Sequence, residues 1–305
     1  MVSPTLAVAV LGDGPHADRI ADRIGARADL TVNARLCPDS PVPPAGTHCV
    51  VYLPSFAEIA ADAPRTVVPD LLRQGYDVVS TAPVNEYAPD PAIAAACRAG
   101  ESAFHATGAF QATIPARLIR SLAEVTRGIR GVELVEELDF PGAGVYPWET
   151  PAELGLGTAD AGLAARSAAL VDGYYAAGLR VLDETVFGGA AAATATPDSS
   201  VEVVTDRDGS VGKVVVDRDL GPALSYRSVW SAATANRAPL RYRLTTTTDS
   251  AKGTANVRFK CTEGLHPADH LTCSNIVEAI RAVHERRAGR PAGIAGSPVR
   301  CPTNA

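Results

Sequence analysis

The chain has 305 residues, enough for two domains of ordinary size, with 46% hydrophobic and 20% charged residues. Its 28 basic residues are outnumbered by 34 acidic ones, so the formal net charge is -6 at pH 7. We therefore expect no nucleic-acid partner, because such a partner requires a basic surface. No apolar run approaches the ~18–20 residues of a membrane span, and the first residues lack a basic, apolar leader. These features predict a cytoplasmic globular protein without a membrane segment.

The six cysteines are too few for a disulfide scaffold, and none forms a C-x-x-C pair. We interpret them as reduced thiols, since Cys37 and Cys49 would pair only in an oxidising compartment. Four residues of zinc-binding types follow one another late in the chain: Cys261, His266, His270 and Cys273. They lie across a predicted strand end, a loop and a helix start rather than in a compact knuckle. We therefore expect no metal site there.

Short apolar runs alternate with helical stretches over the first hundred residues, the pattern of a parallel α/β sheet. The predicted strands are Leu6–Leu11, Leu30–Ala34, Cys49–Leu53, Val78–Thr81 and Ala103–Ala106. The predicted helices are Ala17–Ala28, Thr66–Gln74 and Asp90–Ala99. Strands that are almost continuously apolar are typical of a sheet covered on both faces.

The pattern changes after residue 108. A predicted strand and a long helix are followed by a group of strands, which indicates an α+β domain. The segments are Val132–Leu138, Asp160–Leu182, Val201–Thr205, Lys213–Asp217, Leu224–Ser231, Leu240–Thr247 and Asn256–Cys261. The prediction is a Rossmann-type parallel-sheet domain over 1–108 and an α+β substrate and dimerisation domain over 109–270. A helix that starts at a capping box of Asn275 and Glu278, within 271–305, is expected to pack back on the first domain.

The first strand is followed by Gly12-Asp13-Gly14-Pro15-His16-Ala17, a G-x-G-x-x-A motif. The first glycine allows the tight turn, the second lets the backbone approach a pyrophosphate, and the small third residue lets the helix lie close to the strand. The pyrophosphate then rests on the N-terminus of the helix. Because a strand precedes the motif and a helix follows it, we predict a dinucleotide site. An ordinary tight β–α turn is the alternative.

The acidic residue that would bind the ribose hydroxyls, about 20 positions further on, is absent. The predicted second strand ends at Ala34, and Arg35 follows it. A guanidinium at this place can bind a 2′-phosphate. Arg35 therefore favours NADP over NAD as the cofactor, and a solvated surface arginine is the alternative.

Three further predicted strands run into small or polar residues at their carboxyl ends, where ligands bind in such sheets. The expected cofactor-binding residues are Gly12, Gly14, Pro15, His16, Arg35, Leu53, Pro54, Ser55, Thr81, Ala82, Thr107 and Gly108.

Three segments taken together resemble a known family: Cys49-Val-Val-Tyr-Leu-Pro-Ser, Tyr76-Asp-Val-Val-Ser-Thr and His105-Ala-Thr-Gly. Their order is similar to that of the dihydrodipicolinate reductase-like oxidoreductases, in the branch of 2,4-diaminopentanoate dehydrogenase and the native amine dehydrogenases. The resemblance implies a Rossmann domain, an α+β substrate and dimerisation domain, a homodimer through the sheet of that second domain, and NAD(P)-dependent chemistry at a C–N bond.

Departures from the relatives narrow the substrate. Dihydrodipicolinate reductases carry a His-His pair and a Lys-Asp-Ala-Pro-Ser-Gly-Thr stretch in their second domain, where this chain has Glu136-Glu-Leu-Asp-Phe-Pro. The Glu-Lys-Pro motif of sugar-oxidising relatives is also missing, because all three lysines lie late in the chain: Lys213, Lys252 and Lys260. In addition, Ala109-Phe-Gln-Ala stands where relatives usually have a Pro-Gly pair.

Glu86 is the leading candidate for a catalytic residue, because it follows the strand that ends at Thr81. A carboxylate there can stabilise a cationic nitrogen and move protons, and the amine dehydrogenases that the chain resembles carry a glutamate in this loop. The alternative is a surface glutamate. His105 is the second candidate, with a structural histidine as its alternative. Asp139, Tyr146 and Trp148 are expected to line the substrate pocket.

We therefore predict an NAD(P)-dependent oxidoreductase that interconverts an imine or ketone and an amine by hydride transfer on a small molecule. Reduction of a C=C or C=O bond on the same scaffold is one alternative. A non-catalytic descendant that keeps the Rossmann fold is the other.

Overall fold

A computed structural model describes residues 5–82, 91–107, 118–119, 121–122, 126, 128–140, 150–191, 198–232, 239–260 and 266–287. The described residues fall into two compact units, the first containing those up to 107 together with 271–287, and the second containing those from 118 to 270. None of the described helices is both long enough and apolar enough to cross a bilayer.

The elements of the first part of the chain are β1 (Leu6–Leu11), α1 (Gly14–Gly25), β2 (Leu30–Leu36), β3 (Cys49–Tyr52), α2 (Phe56–Ala60), α3 (Pro64–Arg73), β4 (Asp77–Ser80), α4 (Pro91–Gly100) and β5 (Phe104–Ala106). The later elements are β6 (Gly131–Asp139), α5 (Ala161–Phe187), β7 (Asp198–Thr205), β8 (Val211–Asp219), β9 (Leu224–Ser231), β10 (Leu240–Thr247), β11 (Lys252–Phe259) and α6 (Pro267–Arg287).

The sheet of the first unit is parallel throughout, with strand order β2-β1-β3-β4-β5. The chain builds outward from β1 to β2 on one side and then from β3 to β5 on the other, so the direction of winding reverses between β1 and β3. In open sheets of this kind the reversal leaves a crevice at the carboxyl ends of the two strands. The predicted Rossmann-type parallel sheet is confirmed.

Helices cover both faces of this sheet, as the apolar strands require. On one face, α1 and α6 pack against β1 and β3, and the buried residues there include Ile20, Ile24, Val51, Ile276 and Ile280. On the other face, α3 and α4 bury Val68, Leu72 and Ile93 against Ala9 and Leu11.

The structure corrects the predicted end of the second strand. β2 continues to Leu36, which pairs with Leu11, so Arg35 lies inside the strand and not beyond it. The pairing shifts where Val8 faces Val32 and Ala9 faces Ala34, which leaves Asn33 as the extra residue of a β-bulge. The predicted strand already included Asn33 and stopped at Ala34, because the charged Arg35 interrupts the apolar pattern there.

The last helix also begins earlier than predicted. α6 starts at Pro267 and not at Asn275, which is buried inside the helix. His266 accepts a hydrogen bond at Nδ1 from the backbone N–H of Ala268 (3.1 Å), and therefore acts as the N-terminal cap. Proline in the first turn and the acidic Asp269 suit a helix start. The Asn275–Glu278 spacing therefore occurs without forming a cap.

The second unit is built on a six-stranded mixed sheet with strand order β11-β10-β6-β9-β8-β7. β6 and β9 are parallel, whereas the other neighbours are antiparallel. β7 and β8 form a hairpin, whose turn is closed by the Asp206 N–H donating to the Ser210 carbonyl at 2.8 Å. On one face of this sheet, the side chains of alternate residues are buried beneath α5, and the side chains between them are largely exposed on the other face.

A buried glutamate lies under α5. Glu136 is 2% exposed, and its carboxylate accepts hydrogen bonds from the hydroxyls of Tyr226 (2.9 Å), Ser228 (2.9 Å) and Tyr242 (2.6 Å). Behind Ser228, the Tyr175 hydroxyl lies 2.9 Å away and accepts the indole N–H of Trp230 at 2.8 Å. Burial raises the pKa of Glu136, and the hydroxyl donors oppose that rise.

Candidate functional site

The turn after β1 accepts only glycine at its first position. Gly12 has φ +142°, and a Cβ placed on it would lie 2.8 Å from the carbonyl oxygen of Leu53. Its N–H donates to the carbonyl of Leu36 at 3.1 Å. Gly12 is therefore wedged between the ends of β2 and β3, at the crevice where the winding of the sheet reverses.

The start of α1 leaves room and hydrogen-bonding capacity for an anion. Asp13 precedes the helix without a side-chain cap bond, Pro15 lies in the first turn, and no acidic side chain is present in that turn. Gly14 has φ +81°, and a Cβ placed on it would meet nothing within 4 Å. Helical N–H groups without capping partners favour a negative charge. Ala17 is fully buried, so the third motif position packs closely. These features fit the diphosphate of a dinucleotide.

The other predicted strand ends lie along the same edge of the sheet. Beyond each strand the ladder continues by one bond: the N–H groups of Leu53, Thr81 and Thr107 donate to the carbonyls of Leu11 (2.9 Å), Tyr52 (3.3 Å) and Ser80 (2.8 Å). The structure therefore brings Leu53, Thr81 and Thr107 into one row with Gly12. Pro54 and Ala82 are buried beside them.

Ser55 has a local role that the sequence analysis missed. Its hydroxyl accepts the N–H of Glu58 at 3.2 Å, and the Glu58 carboxylate accepts the N–H of Ser55 at 2.9 Å, forming a capping box that begins α2. The other carboxylate oxygen of Glu58 accepts the Tyr52 hydroxyl at 3.0 Å. The S-x-x-E spacing at 55–58 was the available signal. Ser55 therefore shapes the exit from β3.

Arg35 is paired with a carboxylate. Its Nη1 lies 2.8 Å from Oδ1 of Asp18, one turn after Gly14 on α1, and the two side chains are 38% and 67% exposed. The bulge in β2 changes which face of the sheet each side chain occupies. Before the bulge, Leu30 and Val32 pack on the face covered by α1. After it, Ala34 and Leu36 pack on the opposite face. Arg35 therefore points toward α1, and a phosphate there would compete with the Asp18 carboxylate.

His105 lies within β5 and is buried, with 6% exposure. Its strand neighbours Phe104 and Ala106 belong to the core on the α3–α4 face, so the alternation of a strand directs the imidazole to the other face. Glu86, Gly108, Tyr146 and Trp148 lie outside the described residues.

Asp139, the remaining predicted pocket residue, ends β6 in the second unit and is buried, with 6% exposure. Its carboxylate lies 3.2 Å from Nη1 of Arg241, which also binds Glu137 through Nε at 2.6 Å. Burial raises the pKa of Asp139, Arg241 lowers it, and Glu137 raises it further. Nearby, burial lowers the pKa of His266 to about 4, although the backbone carbonyls of Asp139 and Pro239 oppose this shift. His266 is therefore neutral near pH 7.

No family model and no curated protein matches the chain, but solved structures do. An amine dehydrogenase from Mycobacterium smegmatis is 11% identical with a TM-score of 0.58, and the match covers 92% of each chain. The apo scyllo-inositol dehydrogenase from Lactobacillus casei is 12% identical with a TM-score of 0.55, covering 97% of this chain and 92% of that one. A UDP-N-acetylglucosamine 3-dehydrogenase from Acidithiobacillus ferrooxidans is 12% identical with a TM-score of 0.51, covering 97% and 93%.

These likenesses establish the fold, a Rossmann-like parallel sheet with a second, mixed-sheet unit, as predicted. An amine dehydrogenase is among the structural neighbours, whereas the wider resemblance to dihydrodipicolinate reductases is not confirmed by them.

Proposed function

We propose that the chain is an NAD(P)-dependent oxidoreductase. The observation that carries this proposal is the turn at Gly12 and Gly14, which lies in the crevice between β1 and β3 and opens onto an uncapped helix N-terminus. A bound nicotinamide supplies the hydride. In this proposal the N–H groups of the first turn of α1 bind the diphosphate, and Leu53, Thr81 and Thr107 line the cofactor-binding site.

The substrate class that we propose is a small imine or ketone interconverted with an amine. The segment resemblance to amine dehydrogenases supports it, and so does the absence of lysine before Lys213, since the sugar-oxidising relatives use a lysine after the fourth or fifth strand. In this proposal Glu86 holds the cationic nitrogen and moves its proton. His105 is proposed to line the nicotinamide pocket, and Asp139, Tyr146 and Trp148 the substrate pocket.

Ammonia dependence separates this reaction from its alternative. Purified protein would be mixed with NADPH or NADH and a panel of ketones and aldehydes, with and without ammonium, while cofactor absorbance is followed. Amine chemistry predicts cofactor consumption only with ammonium present. Equal consumption without ammonium would assign the protein to C=O or C=C reduction instead. A dinucleotide that binds but is never consumed would favour a non-catalytic descendant.

We propose NADP as the preferred cofactor because of Arg35. Replacing Arg35 by Ala should raise the Kd for NADPH about tenfold, or ~1.4 kcal/mol, and leave the Kd for NADH within about twofold, because only NADPH carries the 2′-phosphate that a guanidinium would bind. The matched change Asp18→Asn should tighten NADPH binding, since it removes the carboxylate that now pairs with Arg35. Fluorescence titration measures the Kd values of NADPH and NADH for each variant. An equal loss of affinity for both cofactors in Arg35→Ala would contradict the preference for NADP.

We also propose the domain division at residue 108, with the dinucleotide domain before it, the substrate and dimerisation domain over 109–270, and the C-terminal segment 271–305 joining the first domain.

The partner that we propose is a second copy of the chain, bound through the exposed face of the mixed sheet. Charge separation across that face supports it. Arg241, Arg243 and Arg258 lie on β10 and β11, and on β7 and β8 the anionic Glu202, Asp217 and Asp219 outnumber the cationic Lys213. Within the chain, Asp217 pairs with Arg227 on β9, and Arg241 pairs with Glu137 on β6.

A two-fold axis along the strands would place the cationic side of one copy over the anionic side of the other. We therefore expect Arg243→Glu to weaken the dimer about tenfold or more, as measured by sedimentation equilibrium at low salt. Arg98→Glu, on the exposed side of α4, is the matched control and should leave association unchanged. A monomeric wild-type protein would contradict the proposed partner.

A further inference from the structure

A single carboxylate closes the turn through which the chain leaves β3. One oxygen of Glu58 accepts the hydroxyl of Tyr52 at 3.0 Å, and the other accepts both the N–H and the hydroxyl of Ser55 at 2.9 Å. Tyr52 is the last residue of β3, and Ser55 is the N-cap of α2. Glu58 therefore binds the residues on both sides of Leu53 and Pro54.

The hydrogen bonds of the sheet end inside this turn. The N–H of Leu53 makes the last ladder bond of this segment, to the Leu11 carbonyl at 2.9 Å. Pro54 has no N–H to donate, and the next N–H along the chain, that of Ser55, is bound to Glu58. The first backbone donor after the ladder is therefore held by the Glu58 carboxylate.

The same turn lies against the glycine loop that precedes α1. A Cβ placed on Gly12 would lie 2.8 Å from the carbonyl oxygen of Leu53 and 3.0 Å from its Cβ, so the two residues are in close contact. Because packed groups transmit displacements, a shift of the main chain at Leu53 would move the glycine loop or open a gap beside it. A binding site needs its parts fixed to within about 0.5 Å by the residues behind them.

Capping of a helix does not by itself require the contact with Tyr52. Thr150 and Glu153 form the same S/T-x-x-E arrangement in the second unit, and Thr150 is the partner of that carboxylate among the described residues, with both bonds at 2.7 Å. In addition, α2 has only five residues, so its cap stabilises little helix. Tyr52 is fully buried in the core on the α3–α4 face. Its hydroxyl therefore ties that core to Glu58.

We propose that Glu58 is a positioning residue of the dinucleotide site. Through its two bonded partners it holds the main chain of Leu53 against Gly12. This role rests on the proposed cofactor function, and Glu58 is assigned no contact with the cofactor itself. In the proposed complex Gly12 adjoins the diphosphate, which NADPH and NADH have in common. Loss of Glu58 should therefore weaken the binding of both cofactors by the same factor.

Calorimetric titration of the full chain with NADPH and with NADH tests this role. We expect Glu58→Ala to raise both Kd values about tenfold, and Tyr52→Phe, which keeps the ring, to raise both about threefold. The double variant should bind no more weakly than Glu58→Ala, because the hydroxyl acts only through the carboxylate. Glu58→Gln should stay within about twofold of the wild type, since glutamine also serves in a capping box and its amide can donate to the Tyr52 hydroxyl.

Two variants act as matched controls. Glu153→Ala breaks the equivalent cap at Thr150. Tyr76→Phe removes a hydroxyl that donates to the Pro43 carbonyl at 3.4 Å, just before β4 and thus at the edge of the parallel sheet opposite to Gly12. Both variants should keep the wild-type Kd values for NADPH and NADH.

Urea unfolding without cofactor measures the stability of each variant separately. If Glu58 served the fold alone, Glu58→Ala would lower the free energy of unfolding and leave both Kd values of the folded protein unchanged. That result overturns the proposal, as do unchanged Kd values in Tyr52→Phe, whose capping box is intact. A wild-type protein that binds neither NADPH nor NADH would overturn the proposed cofactor function itself, and the role of Glu58 with it.

Discussion

Replacing Glu86 by Gln is expected to lower kcat by about 10²-fold or more, the usual contribution of general acid–base catalysis, while the Kd for NADPH stays within about twofold of the wild-type value. The amide keeps the size of the side chain but can neither carry the negative charge that stabilises a cationic nitrogen nor exchange its proton. Steady-state amination rates and fluorescence titration of the cofactor separate the two effects.

The matched control for this change is Glu101→Gln, which alters an exposed glutamate just before β5 and should leave both parameters unchanged. His105→Asn tests the second candidate: a catalytic imidazole would shift the pH dependence of kcat, whereas a structural one would lower stability alone. Full activity in Glu86→Gln would assign the proton transfer to another residue.

Replacing Glu136 by Leu is expected to destabilise the protein by about 3 kcal/mol. The carboxylate is the common acceptor of Tyr226, Ser228 and Tyr242, so its removal leaves buried hydroxyl donors without an acceptor. Glu136→Gln should cost about 1 kcal/mol, because its amide oxygen still accepts while its NH₂ group replaces one acceptor with a donor. Urea unfolding followed by tryptophan fluorescence measures both.

Glu133→Leu and Glu133→Gln, on the exposed side of the same strand, are the controls and should change stability by less than about 0.5 kcal/mol.

The contribution of Glu136 to stability should also depend on pH, and the sign of that dependence follows from its raised pKa. Burial raises the pKa of Glu136 in the folded protein above its usual value of 4.5. Protonation of Glu136 therefore contributes to the free energy of unfolding in full below pH 4.5, and this contribution is lost as the pH rises through the raised pKa. The stability gap between wild type and Glu136→Gln should therefore narrow as the pH rises. A gap that widens would contradict the assignment.

Regular apolar patterns predicted much of the fold, because a buried parallel strand needs apolar side chains on both faces. Leu6–Leu11 and Cys49–Tyr52 are such strands. The Gly12–Gly14 turn could be predicted because a recognisable strand precedes it and a helix follows it. The strand ends at Leu53, Thr81 and Thr107 were also predicted, since parallel strands in one sheet deliver their carboxyl ends to one edge.

Features that depend on tertiary contacts were not predicted. The bulge at Asn33 arises from pairing with β1, and it turns Arg35 toward Asp18. The Sγ of Cys273 lies 4.0 Å from Nδ1 of His16, a contact that depends on the packing of α6 against α1. Glu136 did carry a local signal, since it occupies an inward position between Leu134 and Leu138, but its hydroxyl donors come from two other strands, β9 and β10.

The central claim is that the turn at Gly12–Gly14 holds a dinucleotide, and calorimetric titration with NADPH and NADH tests it most directly. Wild-type protein should bind at least one of them, and Gly14→Val should weaken that binding about tenfold or more, because its side chain would fill the open space beside the first turn of α1. Gly46→Val is the matched control: Gly46 has φ +84° against +81° for Gly14, and a Cβ on either meets nothing within 4 Å. It should bind the cofactor as the wild type does. Absence of binding to the wild type, or equal binding by Gly14→Val and Gly46→Val, would contradict the claim.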